Sequence, residues 1–286
     1  MIWIVLPAFN EETSLPSLLP KLDERLRADG ISYRLVAVND GSVDRTAEIL
    51  AESSARLPMD VVTHPINRGL GETERDGFEF AAARCAPDDI IVRVEGDDTH
   101  GPEYVSAIIK KLAEGFDVVN TSRFQPGGGQ MGVDGYRAFI SRCANFFMRT
   151  MFQITNVHDY SCGYRGYRGR VIQDAIRIFG NNFIQLRGLG FTSTLEIIVK
   201  LNILGCRFAE VPFMLRYDQK QGPSKMVSSV TTIGYLLMAF LYHWPFGGWR
   251  GQYRGLAALY RTDPEAAVRQ FELATLRRRS ASRVSF

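Results

Sequence analysis

Cysteine is scarce in this chain and scattered. Cys85, Cys143, Cys162 and Cys206 form no CxxC pair among 286 residues, which argues against a structural zinc site and gives a disulfide framework no support. Buried, reduced thiols are the expectation. A surplus of charge is missing too: 34 basic residues stand against 31 acidic ones, for a net charge of +3. Bulk electrostatics therefore point to no nucleic-acid partner, and any basic site must be local. No long hydrophobic run is present. The apolar stretch 233–244 is interrupted by Gly234 and His243 and ended by Pro245, well short of the roughly 20 apolar residues a membrane span needs. A basic segment followed by a long apolar run and a cleavage site is also lacking at the N-terminus, so a cytoplasmic chain is expected. There is no internal repeat and no low-complexity tract.

What the chain does have is alternation. Apolar, β-branched runs over 2–6, 35–38, 61–62, 90–94 and 118–119 are separated by segments of helical periodicity over 15–28, 45–55, 73–83 and 103–112. That order predicts an α/β fold with a mostly parallel central sheet. After Thr121 the pattern changes. Gly127, Gly128 and Gly129 predict a mobile loop rather than the interior of an element, followed by helices over 137–152, 171–178 and 193–204 and a strand-like run over 208–215. The stretch 233–244 reads as an interfacial or re-entrant helix, with Tyr242, Trp244, Trp249 and Tyr253 at headgroup level and Arg250 and Arg254 facing anionic lipid. A core or dimer helix is the alternative, which leaves a homo-oligomer open. Arg277, Arg278 and Arg279 belong to a solvated basic tail.

Chemistry concentrates where strands end. Ligands of open α/β sheets bind beyond the carboxyl ends of strands, and there the segment 94–100, VEGDDTH, delivers Glu95, Asp97 and Asp98 with Thr99 and His100. One or two carboxylates suit Mg2+ or Mn2+, hard cations that keep positions for water and substrate phosphates. By itself the segment is equally an acidic turn. His100 is expected to bond a carboxylate and fix the loop. Pro7 to Glu12 follow the first strand and Asn39 to Thr46 the second, with Ser42 placed to cap the next helix. A third loop, with Asn67, Gly69 and Gly71, opens a helix whose free N–H groups favour a diphosphate.

Eight motifs then resemble one family in register. VLPAFNEE (5–12), VNDGSVDRT (38–46), NRGLGETERDG (67–77), VEGDDTH (94–100), SRFQPGGG (122–129), RAFISRCAN (137–145), DYSCGYRGY (159–167) and EVPFMLRYDQKQGPSK (210–225) occur in the order seen in dolichol-phosphate mannosyltransferase-like enzymes of glycosyltransferase family two. The resemblance covers residues 1–226 and implies a GT-A fold there, with 227–286 as a helical C-terminal region. It implies an inverting transfer of a hexose, mannose or glucose, from a GDP- or UDP-sugar to a polyprenyl or dolichyl phosphate at the cytoplasmic face of a membrane.

By position it assigns Pro7, Phe9, Glu11 and Asp40 to the nucleoside and Asp97 to a divalent metal. Glu95 stands where the family has the first Asp of its DxD, and Thr99 is a further metal ligand, direct or through water. Asn67 and Gly69 join the donor site. Arg123, Arg137, Ser141 and Arg216 would surround the acceptor phosphate and donor diphosphate, where guanidinium forks bind oxygens bidentately. Ser224 and Lys225 would close over the diphosphate. Asp98 is expected to turn away. A phosphate acceptor is already anionic and needs no general base, whereas a hydroxyl acceptor would need one, for which Asp159 or Asp98 are the candidates. Two other readings stand beside this one: a soluble family-two enzyme acting on a hydroxyl, and a non-catalytic nucleotide-sugar-binding subunit.

Overall fold

The computed structural model describes residues 1–220 and 228–272. Its first half runs β1 (Ile2–Ala8), α1 (Leu15–Ala28), β2 (Tyr33–Asn39), α2 (Thr46–Ser54), β3 (Met59–Thr63), α3 (Leu70–Ala82), β4 (Ile90–Arg93), α4 (Tyr104–Ala113) and β5 (Val118–Ser122). There follow β6 (Gly129–Met131), α5 (Gly135–Phe152), β7 (Arg165–Arg168), α6 (Gly169–Phe179), α7 (Thr192–Leu204), β8 (Phe208–Pro212) and β9 (Met214–Arg216). Helices α8 (Ser228–His243), α9 (Gly248–Gln252) and α10 (Leu256–Thr262) and a last helix over 264–272 complete it.

Seven strands form one sheet in the order β3-β2-β1-β4-β7-β5-β8. All neighbours are parallel except β7, which is antiparallel to both β4 and β5. Fully buried strands read as continuous apolar runs, and in β1 every residue is buried. α1 shows the matching helical logic: Leu15, Leu18, Leu19, Leu22 and Leu26 are buried, the spacing that puts them on one face. Apolar cores fill both sides of the sheet.

β7 was not legible. Its sequence is Arg-Gly-Tyr-Arg, yet it sits in the middle of the sheet with Arg165 fully buried. Gly166 permits this, because a Cβ there would lie 2.2 Å from Ile108 Cγ2 of α4. The strand-like run 208–215 is two strands in two sheets, since β9 pairs with β6 and β8 with β5. The triple glycine is corrected in part: Gly129 opens β6, and its backbone N–H donates to the Phe213 carbonyl at 2.9 Å. Cys143 is exposed, against expectation, while Cys85, Cys162 and Cys206 are buried.

The helices after 228 share the large core with the body of the sheet. Met238, Tyr242, Trp249, Tyr253, Leu256 and Tyr260 belong to one buried cluster with Phe78, Tyr167 and Leu195. Tyr242, Trp249 and Tyr253 are only 6, 5 and 6 % exposed, so the headgroup role expected of them is overturned; Trp244, at 56 %, is the exposed one. Trp249 instead covers a charge, because Lys200 of α7 is buried with its Nζ 3.4 Å from the indole centroid. Among the described residues no helix is long and apolar enough to cross a membrane.

Candidate active site

Because β1, β2 and β4 are parallel neighbours, the loops that follow them emerge at one sheet edge. The loop after β4 packs on the loop after β1. Gly96 lies where a Cβ would be 2.8 Å from the Pro7 carbonyl and 3.5 Å from Glu11 Cγ. Pro7 and Glu11 are buried and Phe9 is half-buried.

Asp97 is held from two sides. Its Oδ1 accepts from the Thr99 hydroxyl at 2.6 Å and the Thr99 N–H at 3.2 Å, and its Oδ2 accepts from Lys220 Nζ. Burial by itself would raise its pKa, but the Lys220 ammonium and the Thr99 bonds hold the carboxyl below the ordinary range. Lys220 follows β9, and β9 reaches the acidic loop through the Arg216 N–H donating to the Thr99 carbonyl at 3.2 Å. Thr99 is 3 % exposed and positions Asp97 by donating to it.

Glu95 is engaged elsewhere. Its Oε1 accepts from Arg93 Nη1, and Arg93 Nε lies 3.0 Å from Glu74 of α3. Arg93 and Glu74 are 1 and 0 % exposed. A buried arginine in a central strand needs carboxylate partners, and it finds the buried Glu74 on one side and the half-buried Glu95 on the other. Asp98 turns away as expected, with φ +58 and a 2.7 Å bond from Lys21 of α1. His100 departs from expectation: its Nδ1 faces the Glu95 N–H at 3.4 Å, and its ring stacks on Tyr164 at 5.1 Å. Burial lowers its pKa to about 4, so the ring is a neutral spacer.

The second and third loops are joined through Asp40. Its Oδ1 accepts from the Arg68 N–H at 2.8 Å and meets His64 Nδ1 at 2.7 Å, and its Oδ2 accepts from the Gly69 N–H at 2.9 Å. Two expectations change here. The Arg68 and Gly69 amides are spent on Asp40 rather than free for a diphosphate, and the start of α3 is packed, with Gly71 2.6 Å from Arg187 backbone by its would-be Cβ. His64, which carries no signal in the sequence, continues to Asp76 at 3.0 Å. Asn67 is exposed. Ser42 does not cap α2; its hydroxyl accepts from the Asn10 N–H at 3.0 Å, and the Arg45 N–H is met by Glu12 at 3.0 Å.

The basic residues fall into two groups. Arg123 makes a two-pronged pair with Asp159, at 2.7 and 2.8 Å, and donates to the Ser161 hydroxyl at 2.6 Å. Asn145 of α5 donates to Ser161 at 3.1 Å and to the Ser141 carbonyl at 2.9 Å, which ties Arg123 to the Ser141 turn. Arg137, near the α5 start where Asp134 caps the helix, donates to the Tyr217 hydroxyl at 3.2 Å. Arg216 pairs with Asp218 at 2.8 Å. Lys220 lies 5.6 Å over the Tyr217 ring, so Arg137, Tyr217, Lys220 and Asp97 form one line of contacts. Ser224 and Lys225 lie outside the described residues.

Asp159 partners Arg123, while the Arg165 guanidinium donates to the Tyr160 and Thr194 carbonyls. Asp159 is 0 % exposed and also accepts from the Ser161 and Cys162 N–H groups. Burial would raise its pKa; Arg123 outweighs this and holds it low.

The oxygen donors suit a hard cation: Asp97 offers a carboxylate aimed at an ammonium, and Glu95 stands two residues away across Gly96. Among the described residues no cluster of three or more His, Cys, Asp or Glu is arranged for a metal, so substrate oxygens and water would have to complete the shell.

Lys220 lies inside the motif 210–225, where nothing in the sequence sets it apart as a partner of Asp97. Arg93 sits inside the run 90–94, which reads as apolar. A charged residue flanked by Val92 and Val94 was the signal.

The chain is similar to several known proteins. The chain is 28% identical over 224 residues to a dolichol-phosphate mannosyltransferase of Pyrococcus furiosus, covering 78% of this chain and 58% of that one. It is 30% identical over 173 residues to an undecaprenyl-phosphate 4-deoxy-4-formamido-L-arabinose transferase of Pseudomonas paraeruginosa, covering 60% and 48%. The chain thus spans about half the length of these curated relatives. Among solved structures, glucosyl-3-phosphoglycerate synthase of Mycobacterium tuberculosis with Mn2+, uridine diphosphate and phosphoglyceric acid superimposes with a TM-score of 0.57 at 18% identity, over 84% of this chain and 78% of that one. The same enzyme with Mg2+ and uridine diphosphate gives 0.55 at 18%, over 84% and 79%. The fold is therefore GT-A, a mostly parallel α/β sheet with a helical C-terminal region. A model of glycosyl transferase family 2 matches residues 3–175, the span that carries β1 through most of α6 and every acidic loop just described, and the chain belongs to that family.

Proposed function

We propose that this chain transfers a hexose, with inversion, from a nucleotide diphosphate sugar to a polyprenyl or dolichyl phosphate. The observation that carries the reading is the occupation of both carboxylates that could serve a hydroxyl acceptor as its base. Asp159 is buried on Arg123, and Asp98 is paired with Lys21. Each is already engaged in an ion pair, and an anionic phosphate acceptor requires no proton-abstracting base. The names of the curated relatives, which are polyprenyl-phosphate transferases, support the same acceptor class.

The residues then divide the work. Pro7, Phe9 and Glu11 lie where the nucleoside of the donor would enter, with Asp40 holding the second and third loops together beside them. Asp97, oriented by Thr99, would hold Mg2+ or Mn2+ with Glu95 as the neighbouring carboxylate. When bound, the cation supplies positive charge at the donor diphosphate. Arg137, Arg216 and Lys220 add protein cations on the same side, where positioning and charge stabilisation are what an in-line displacement requires. Arg123 contributes by fixing the turn that carries Ser161 against α5 near Ser141. A lipid acceptor brings the work to a membrane surface.

The test is transfer of labelled sugar from GDP-mannose, GDP-glucose, UDP-mannose or UDP-glucose into an undecaprenyl or dolichyl phosphate fraction with Mn2+ or Mg2+. Label entering the lipid phosphate is expected with one donor. Label entering only a hydroxyl-bearing glycan would sink the reading.

A further inference from the structure

Two helices carry most of the exposed apolar surface among the described residues. Of the 15 large hydrophobic side chains that stand exposed there, Tyr136, Phe139, Ile140 and Phe146 lie on α5. Ile233, Leu236, Leu237, Phe240, Trp244 and Phe246 lie on or just after α8. On each helix the spacing is that of a single stripe: 136, 139, 140 and 146 on one, and 233, 236, 237, 240 and 244 on the other. These stripes face outward. The inward side of α5 is confined to Asn145, Met148 and Phe152, and that of α8 to Thr231, Gly234, Met238, Ala239 and Tyr242. The helices are in contact, with His243 Nε2 3.0 Å from the Met151 carbonyl and Phe152 edge-on to Tyr242 at 5.2 Å.

Charge on this part of the chain is one-sided. Residues 135–152 and 228–262 contain no Asp and no Glu, but they contain Arg137, Arg142, Arg149, Arg250, Arg254 and Arg261. In a chain whose charges nearly balance, this is a segregation. Arg250 and Arg254 also line a cavity of about 620 Å3 with Asn202 and His243, and no acidic side chain among the described residues borders it. Exposed apolar patches of this kind mark interaction sites, and an apolar stripe rimmed by arginines and aromatic rings matches the boundary between anionic headgroups and acyl chains.

We propose that the joint α5–α8 face is the surface by which this protein lies on an anionic lipid bilayer, with the Arg250–Arg254 cavity taking a lipid phosphate. α5 links this face to the candidate active site, because Arg137 and Ser141 stand on the same helix as Phe139, Ile140 and Phe146. The inference deepens the reading of a lipid-phosphate acceptor by naming the surface that meets the membrane. It rests on surface composition and does not need the transfer reaction.

The test therefore contains neither nucleotide sugar nor polyprenyl phosphate. The full chain is floated with vesicles of phosphatidylcholine and phosphatidylglycerol in equal parts, and with phosphatidylcholine vesicles. Wild type is expected to float with the first and far less with the second. Phe146→Ser combined with Phe240→Ser should lower the bound fraction roughly tenfold at unchanged Tm, as expected for two aromatic side chains that lose their apolar contact with lipid. Arg250→Gln combined with Arg254→Gln should lower it roughly tenfold on anionic vesicles and leave phosphatidylcholine binding as it was. Inorganic phosphate that displaced the protein at millimolar concentration would show that the cavity takes the free ion, and would overturn the lipid-phosphate assignment. Failure of wild type to float would overturn the proposal, as would a dimer by sedimentation that becomes monomeric in the Phe146→Ser, Phe240→Ser variant, since a second copy would then own the face. Either failure leaves the sugar-transfer assay with a detergent-dispersed acceptor as an independent measure of the proposed reaction.

Discussion

Asp97 is the residue on which donor chemistry would turn, and it already holds an ammonium. A divalent cation reaching its Oδ2 must displace Lys220, whose own pKa is raised by Asp97 once burial has been overcome. Calorimetric titration of the sugar-free protein with Mn2+ should therefore show Lys220→Met binding roughly tenfold more tightly than wild type, the size of about one pKa unit of competing charge. Asp97→Asn should show no measurable binding. Equal affinity in wild type and Lys220→Met would remove the competition. Asp159 makes the second prediction at this scale. Replacing it with Asn leaves Arg123, 11 % exposed in its side chain, without its counter-charge, and breaking a buried pair costs about 3–5 kcal/mol. Because the folded pKa of Asp159 is depressed, its stabilisation is complete above the ordinary carboxylate value near 3.8 and is lost as pH falls below it toward the folded value. The gap in urea-unfolding stability between wild type and Asp159→Asn should therefore be largest at neutral pH and shrink as the pH is taken below that value.

At the scale of elements, the loops after β2 and β3 meet through backbone. Gly41 has φ +64, and a Cβ there would lie 2.2 Å from the Ile66 carbonyl carbon and 2.4 Å from the Asn67 nitrogen. Backbone cannot rotate out of the way as a side chain can. Gly41→Ala is therefore expected to lower stability by about 2 kcal/mol or more and to move the Arg68 and Gly69 amides away from Asp40, read by urea unfolding and by weaker nucleotide binding. A variant as stable as wild type would show that the two loops can separate freely. The strand–helix alternation up to β5 was legible because each of those strands contains a short apolar run and each helix keeps one apolar face. β7 was not, since its two arginines and one glycine look like surface, and Arg165 is accommodated inside by donating to the carbonyls of Tyr160 and Thr194.

For the whole molecule, the helices after 228 behave as part of the body. Trp249 covers the buried Lys200, whose pKa burial lowers to about 8 against the pull of Glu196. Removing residues 228–286 would expose that ammonium together with the apolar surface now covered by Met238, Tyr242, Leu256 and Tyr260. The truncated chain is expected to lose cooperative thermal unfolding and to bind a hydrophobic dye, where a free-standing 1–226 unit would melt as sharply as the full chain. Loss of vesicle binding by such a truncation would then say little about lipid, which is why point substitutions on the outer faces of α5 and α8 are the sharper probe.

The sequence by itself determined the alternating α/β order, the chain's family and the segments that gather at one edge of the sheet, because hydrophobic period and motif order are local properties. It also anticipated that Asp98 turns aside, where it meets Lys21. Only the tertiary structure decided which partner each charged group takes: Glu95 with Arg93, Asp97 with Lys220, Asp40 with the amides of Arg68 and Gly69, and Asp159 with Arg123. Those pairings join residues 2 to 123 positions apart. They follow from where the backbone brings each group and from the cost of leaving a buried charge alone, which no linear spacing records.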